Sequence, residues 1–216
     1  MEIKEQSGLR AVLADVELPR MAMIRQKFPR DGIEDVAAYL MEKLDREDLR
    51  SRIKPGMRVV LTGSSRKIAN MPLILRELAD YVRAQGAHPY IIPAMGSHGG
   101  ATAEGQREIL ESYGITEEAC RCPIFSSMET VQVGSLSNGD EVRVDRFAYE
   151  ADAVIVVGRI KAHTAFRGAY ESGLVKMMAI GMGKREGADS LHRAGFQWMG
   201  ERLPQYAKVI FDHTNI

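Results

Sequence analysis

Cysteine is nearly absent from this 216-residue chain, which has only Cys120 and Cys122, one residue apart. A C-x-C with no second pair nearby falls short of the ligand spacing of structural zinc sites, so free, reduced thiols are the expectation. Aromatic residues make up 6%, with a single tryptophan. Net charge is missing as well, since 29 basic side chains balance 29 acidic ones. That balance argues against nucleic acid as a partner, because duplex binding rests on many phosphate contacts and normally shows as a basic domain. Long apolar runs are lacking too. The run Ala153 to Val157 is far below the roughly 20 residues that cross a bilayer. The amino terminus, MEIKEQSGLR, is charged from its second residue and has no signal-peptide core. A cytoplasmic protein without membrane contact is therefore expected, and no repeat or low-complexity segment breaks the pattern.

What is present is globular: 45% apolar and 27% charged residues, in a chain long enough to bury a sizeable core. A strand-like region runs from about Leu9 to Ile24. A helix follows Asp31-Gly32, with apolar Ile33, Val36, Ala37, Leu40, Met41 and Leu44 at helical spacing. After the turn Pro55-Gly56 come a strand at Arg58–Thr62, a helix from about Pro72 to Gln85 and a strand at His88–Pro93. Then follow the loop Gly96-Ser97-His98-Gly99-Gly100 and a helix from about Thr102 to Tyr113. Strands alternating with helices predict right-handed crossovers and an α/β fold, a Rossmann-like, mostly parallel sheet flanked by helices. Residues 129–134 and 141–147, joined by Ser137-Asn138-Gly139-Asp140, predict an added hairpin. Ala153–Val157 reads as a central strand, and helices are expected at 187–192 and 199–206. The tail VIFDHTNI opens like a further buried strand, which suggests one half of a larger, two-domain enzyme.

Positive charge is concentrated in one glycine-punctuated stretch, Gly158 to Gly187. It carries Arg159, Lys161, Arg167, Lys176, Lys184 and Arg185 against Glu171 and Glu186. Clustered cations and closely approaching backbone amides suit a small anion, a phosphate or a carboxylate. In an open α/β sheet the loops leaving the carboxyl ends of the strands gather at one edge, where ligands bind. Arg66, His98, Lys161 and His163 would converge there.

Each candidate has a functional reading and a plain one. Gly63-Ser64-Ser65-Arg66 would offer amides at a helix start and a guanidinium to an anion, or is a polar turn. His98, with one glycine just before Ser97 and two directly after it, would have an unobstructed ring, or bonds a backbone carbonyl. Cations around His163 would keep its imidazole neutral and basic; alternatively it satisfies a strand end. Lys176 is the one charge within Leu174-Val175-Lys176-Met177-Met178-Ala179-Ile180, and is either snorkelling or desolvated and nucleophilic. His192 alone reads as a surface histidine.

Together these residues resemble the amino-terminal domain of the nickel-pincer lactate racemase family. The resemblance rests on Gly96-Ser97-His98, Lys161-Ala162-His163, Lys176 followed sixteen residues later by His192, and Arg66 after the first strand. It spans nearly the whole chain, which implies that residues 1–216 form a single domain, the amino-terminal half of such an enzyme. In that family a pyridinium-derived mononucleotide holds nickel through two sulfur arms and a ring carbon. A lysine is joined to it by a thioamide, and a histidine completes the metal's coordination. Carried over, the resemblance implies Lys176 as attachment point, His192 as nickel ligand, and His98 and His163 as paired acid–base groups. Arg66, Ser64 and Ser65 would help hold the cofactor phosphate. It further implies a 2-hydroxy acid substrate, cofactor-building enzymes as partners, and racemisation by hydride transfer; a homo-oligomer is a further expectation. Two departures stand out. Gly63 occupies a place usually acidic, and extra residues between His163 and Lys176 make Lys184 a rival attachment point. Lys176 is preferred for its apolar setting and its interval to His192. A nickel-free nucleotide- or sugar-phosphate-binding enzyme, or a non-catalytic anion-binding domain, would use the same basic loops.

Overall fold

The computed structural model describes residues 14–17, 20–28, 31–193 and 195–216. The chain divides into two compact units, Met1–Ile33 and Glu34–Ile216. In the first unit the described residues form no helix or strand. The strand expected from Leu9 to Ile24 is thus absent at 14–17 and 20–24, while residues 9–13 and 18–19 lie outside the described set.

Among the described residues, the second unit holds every helix and strand. Helices α1 (Val36–Leu44) and α2 (Glu47–Arg50) precede β1 (Arg58–Gly63), α3 (Met71–Ala84) and β2 (His88–Pro93). A single 3₁₀ turn at Gly99–Ala101 leads into α4 (Ala103–Ser112), then α5 (Glu117–Cys120), and β3 (Thr130–Ser135) and β4 (Glu141–Asp145) form the hairpin. Next come α6 (Arg146–Tyr149), β5 (Ala153–Ile155), the short α7 (Leu174–Lys176), a π-type turn at Met177–Gly181, α8 (Lys184–His192) and α9 (Phe196–His213). The main sheet has the order β2-β1-β5, all parallel, with Val60 opposite Tyr90 and Val154. Residue Ile124 bridges the far side of β2 at Ile91. Val154 donates to the carbonyl of Asn215 at 2.8 Å, so the chain beyond α9 covers the outer side of β5.

Both faces of this sheet are covered, which is why its strands read as continuous apolar runs rather than as alternation. Leu61 and Ile91 pack with Leu75, Leu78 and Leu110 of α3 and α4. Val60, Ile92 and Val154 pack on the opposite side with Met182, Leu191, Leu203, Tyr206 and Ile210, together with Val142 and Val144 of the hairpin. Asp145 starts α6 by accepting the amide hydrogens of Phe147 (2.7 Å) and Ala148 (3.2 Å) at one carboxylate oxygen.

The tail is a correction. Residues expected as a short helix and a separate strand form one helix, α9, which runs through Pro204 to His213. Its buried side chains Met199, Leu203, Tyr206, Ala207 and Ile210 recur at three- and four-residue spacing; a helix stripe continues through what looks locally like a strand. No helix among the described residues is long and apolar enough to cross a membrane.

Candidate functional site

Because β1, β2 and β5 run parallel, their carboxyl ends share one edge. The chain leaving each strand is tied to its neighbour before it diverges. Ala94 donates to the carbonyl of Gly63 at 2.7 Å. The buried hydroxyl of Thr62 accepts from the Val157 amide (2.8 Å) and donates to the Val157 carbonyl (3.3 Å), extending the sheet with a side chain. Arg66, His98 and His163 lie on these three exits.

After β1, Ser64 is buried and turned inward, its hydroxyl donating to the Arg66 carbonyl at 3.2 Å, whereas Arg66 itself is exposed. The adjoining helix α3 starts only at Met71, so Gly63 to Arg66 is not a helix start as the sequence suggested; Asn70, in left-handed backbone, closes the intervening turn. Ser65 faces His98, with its hydroxyl 2.5 Å from Nδ1. His98 keeps a face to solvent. Loss of hydration in its crowded surroundings, then Arg66 and Lys176, push its pKa below the ordinary histidine value.

The glycines around His98 serve packing as well as the ring's freedom. A Cβ on Gly99 would lie 2.5 Å from the backbone of Gly105, and one on Gly105 only 2.1 Å from the Gly99 carbonyl. The loop and the first turn of α4 therefore touch backbone to backbone. Gln106, fully buried on α4, donates to the carbonyls of Gly96 (2.7 Å) and His98 (3.3 Å).

The basic loop after β5 is held by its own polar side chains. Glu171 accepts the amides of His163 (2.7 Å) and Gly168 (3.3 Å), and Ser172 binds both the amide and the carbonyl of Lys161. These amide bonds, with Arg167 nearby, hold the Glu171 carboxyl below the usual carboxylate range. His163 accepts the Ala165 amide at Nδ1 (3.1 Å) and stacks on Phe166 with ring centroids 4.4 Å apart. Its neutral form thus carries the proton on Nε2. Loss of hydration lowers its pKa first, followed by Lys176 and Lys161, with Glu171 opposing.

Lys176 lies where α7 passes into the π-type turn, half-buried and without a hydrogen bond or ion pair among the described residues. Loss of hydration, then Lys161 and Arg66, lower its pKa. Its ammonium lies within electrostatic range of both His98 and His163 and disfavours the charged form of each. The rival, Lys184, is engaged elsewhere. It is fully buried, 2.9 Å from Asp145 Oδ2, and also donates to Pro93 O (2.5 Å) and Gln106 Oε1 (3.2 Å). His192 donates from Nδ1 to the Ala188 carbonyl at 2.7 Å, which leaves the Nε2 lone pair available to a metal. Phe196 joins it to the rest, its ring centroid 6.2 Å from those of both His163 and His192.

Arg66, Ser65, His98, His163 and Lys176 therefore form one coupled group, His192 adjoins it through Phe196, and Ser64 shapes the turn beneath. No three His, Cys, Asp or Glu side chains converge among the described residues, so a metal held at His192 would take its other donors from a non-protein group. A lysine without a partner among the described residues and a histidine with a directed lone pair fit what a tethered, metal-bearing cofactor would require. The sequence reading missed Gln106, Glu171, Phe196 and the Lys184–Asp145 pair. Only Glu171 carried a signal, as an acid within a basic run.

The family model described as the lactate racemase N-terminal domain matches residues 12–202. Among solved structures, the lactate racemase apoprotein from Thermoanaerobacterium thermosaccharolyticum matches at 12% identity with a TM-score of 0.44, covering 81% of this chain and 46% of its own. The chain thus spans less than half the length of that protein. No curated protein matches the chain by sequence.

Proposed function

The chain belongs to the lactate racemase N-terminal domain family, and from that premise we propose that it inverts a 2-hydroxy acid of the lactate type with a nickel-pincer nucleotide tethered at Lys176. The observation that carries this reading is the contrast between two lysines in one basic stretch: Lys184 has three partners, whereas Lys176 has none among the described residues and acts electrostatically on both histidines. A half-buried amine with lowered pKa holds more of its neutral, nucleophilic form, as covalent capture requires. His192 would ligate the metal through Nε2. Arg66, with the Ser65 hydroxyl at the same turn, would hold the phosphate, and Ser64 keeps that turn in shape.

When bound, the nucleotide supplies an electrophilic hydride acceptor. The chain's own residues manage the proton. Oxidising a 2-hydroxy acid to its keto acid removes the hydroxyl proton as well as the C–H hydride, and His98 and His163 approach from separate loops. When His98 donates from Nδ1 to Ser65, its Nε2 lone pair can take that proton; lowered pKa keeps the ring neutral and ready near pH 7. His163 presents Nε2–H to the substrate oxygen. To act as the base for the other enantiomer it must carry its proton on Nδ1 instead, giving up the Ala165 contact. Arg159, Lys161 and Arg167, exposed along the loop, would draw in the substrate carboxylate.

The test is production of the chain together with the cofactor-building enzymes, followed by intact mass and nickel analysis. A mass increase on Lys176 and bound nickel, both lost in Lys176→Ala, are expected. A chain without nickel or added mass that binds free nucleotides equally well with Lys176→Ala would overturn the reading in favour of a nickel-free nucleotide-binding enzyme. Retention of the added mass in Lys176→Ala would move the attachment site elsewhere.

A further inference from the structure

The buried pair Lys184–Asp145 takes no part in the proton transfers above, yet it sits directly behind one of the loops that makes them. Both side chains are 0% exposed. Lys184 adopts left-handed backbone at φ 52°, an unusual conformation for a long side chain that persists only where the surroundings impose it. What the ammonium touches explains the arrangement. It binds the carbonyl of Pro93, the last residue of β2, and the side-chain oxygen of Gln106 on α4.

A glutamine amide can face either way, but a cation on one side decides the matter. With Oε1 turned to Lys184, the NH₂ group must face the opposite direction. There it meets the carbonyls of Gly96 and His98. Loss of hydration raises the pKa of Asp145 and lowers that of Lys184, while their mutual attraction opposes both shifts. The pair is anchored from β4 and the start of α8, so three distant segments meet behind one loop.

We propose that Gln106, oriented by the buried Lys184–Asp145 pair, is a positioning residue that fixes the Gly96–His98 loop and thereby aims the His98 imidazole into the site. The inference rests on the proposed role of His98 in proton transfer, but its structural part can be read without cofactor. Gln106 touches neither reacting atoms nor ligand. It acts by holding two carbonyls on either side of Ser97, so that the ring lies against Ser65 and near Arg66 and Lys176, the polar and charged groups facing it.

The experiment compares the unmodified chain with Gln106→Leu and Gln106→Glu. The glutamate keeps an acceptor for Lys184 but has no donor for the loop. Nuclear magnetic resonance of the histidine ring protons, without cofactor, follows His98 and His163 separately. Both variants are expected to move the His98 titration up toward the ordinary histidine value while His163 stays in place. In loaded enzyme, kcat should fall about 10-fold to 100-fold with little change in KM, as for a displaced catalytic group. A folded variant with an unaltered His98 titration would reduce the network to a purely structural role and overturn the proposal. Should neither variant fold, the unmodified chain still decides: the Gln106 side-chain amide protons are expected to exchange with solvent far more slowly than those of exposed amides, and fast exchange would overturn it. If the chain proves to bind no nickel, the titration result is untouched, so the two readings fail separately.

Discussion

The loops carrying His98 and His163 leave the same sheet edge on either side of β1, yet they are held in opposite ways. The His98 loop is fastened from behind by fully buried groups drawn from α4, β4 and α8. The His163 loop is fastened from within by its own Glu171 and Ser172, near the surface. Buried polar contacts in a low-dielectric setting are costly to break, whereas solvated ones exchange readily with water. One histidine is therefore set by the fold, and the other by a segment that can rearrange around a charged ligand.

Breaking the buried fastening should have the largest effect. Lys184→Met or Asp145→Leu alone would leave one partner buried and uncompensated, a loss of about 3–5 kcal/mol. Asp145→Leu should be the worse of the two, because Asp145 also caps α6. Urea unfolding of both variants and of the double variant checks this; the double variant should recover much of the loss, since the uncompensated charge is gone.

Next comes the backbone contact behind His98. Gly105→Ala forces a methyl group against the Gly99 carbonyl, an overpacking that should cost about 1–3 kcal/mol. Gly139→Ala, at the hairpin tip where nothing lies within 4 Å, would suffer only from its left-handed backbone. Thermal midpoints of the pair separate close approach from backbone conformation, and equal midpoints would refute the packing argument.

The pH dependence is smaller. His98 and His163 both have folded-state pKa values below the ordinary 6.5, so the unfolded chain binds more protons near and below that value. Stability is accordingly undiminished above pH 6.5 and falls as pH drops below it, until the folded-state values are passed. Replacing both histidines by glutamine should flatten that part of the curve.

The smallest effect on stability belongs to the surface fastening. Glu171→Gln should leave the unfolding midpoint nearly unchanged, but the loss of its negative charge should lower the His163 pKa further, since Glu171 is the group raising it. A resonance titration of His163 reads this directly. A large drop in stability with no movement of His163 would reverse the comparison between the loops.

How far the sequence went follows from where the physical signal was local. Strands β1 and β2 were legible almost to the residue because each is a buried apolar run between turn-forming residues. The hairpin was legible from Asn138-Gly139, and convergence of the three loops followed from parallel strands alone. The long helix α9 was obscured because VIF, read by itself, resembles a strand, and only the spacing of Leu203, Tyr206 and Ile210 reveals the stripe. Lys184 was unreadable for a different reason. In Gly183-Lys184-Arg185-Glu186 it looks solvent-exposed like its neighbours, and its partners Asp145, Gln106 and Pro93 belong to distant segments that only folding brings together. The loops and the charge pattern singled out the candidate residues, and the likeness to a known family implied their roles; neither gave a hint of what holds them.

The two cysteines acquire a use from their surroundings. Cys120 and Cys122 lie among Leu75, Leu78 and Ile115, and burial pushes their thiols up to about 11 and about 12. Neither is a reactive thiolate at neutral pH while that cluster stays closed. Alkylation must therefore wait until α5 lifts away from α3, so the rate of thiol labelling is a clock for the opening of this one face of the sheet. Read in the Gln106 and Lys184 variants, it would report whether damage behind His98 spreads through α4 into that face or stops at the loop.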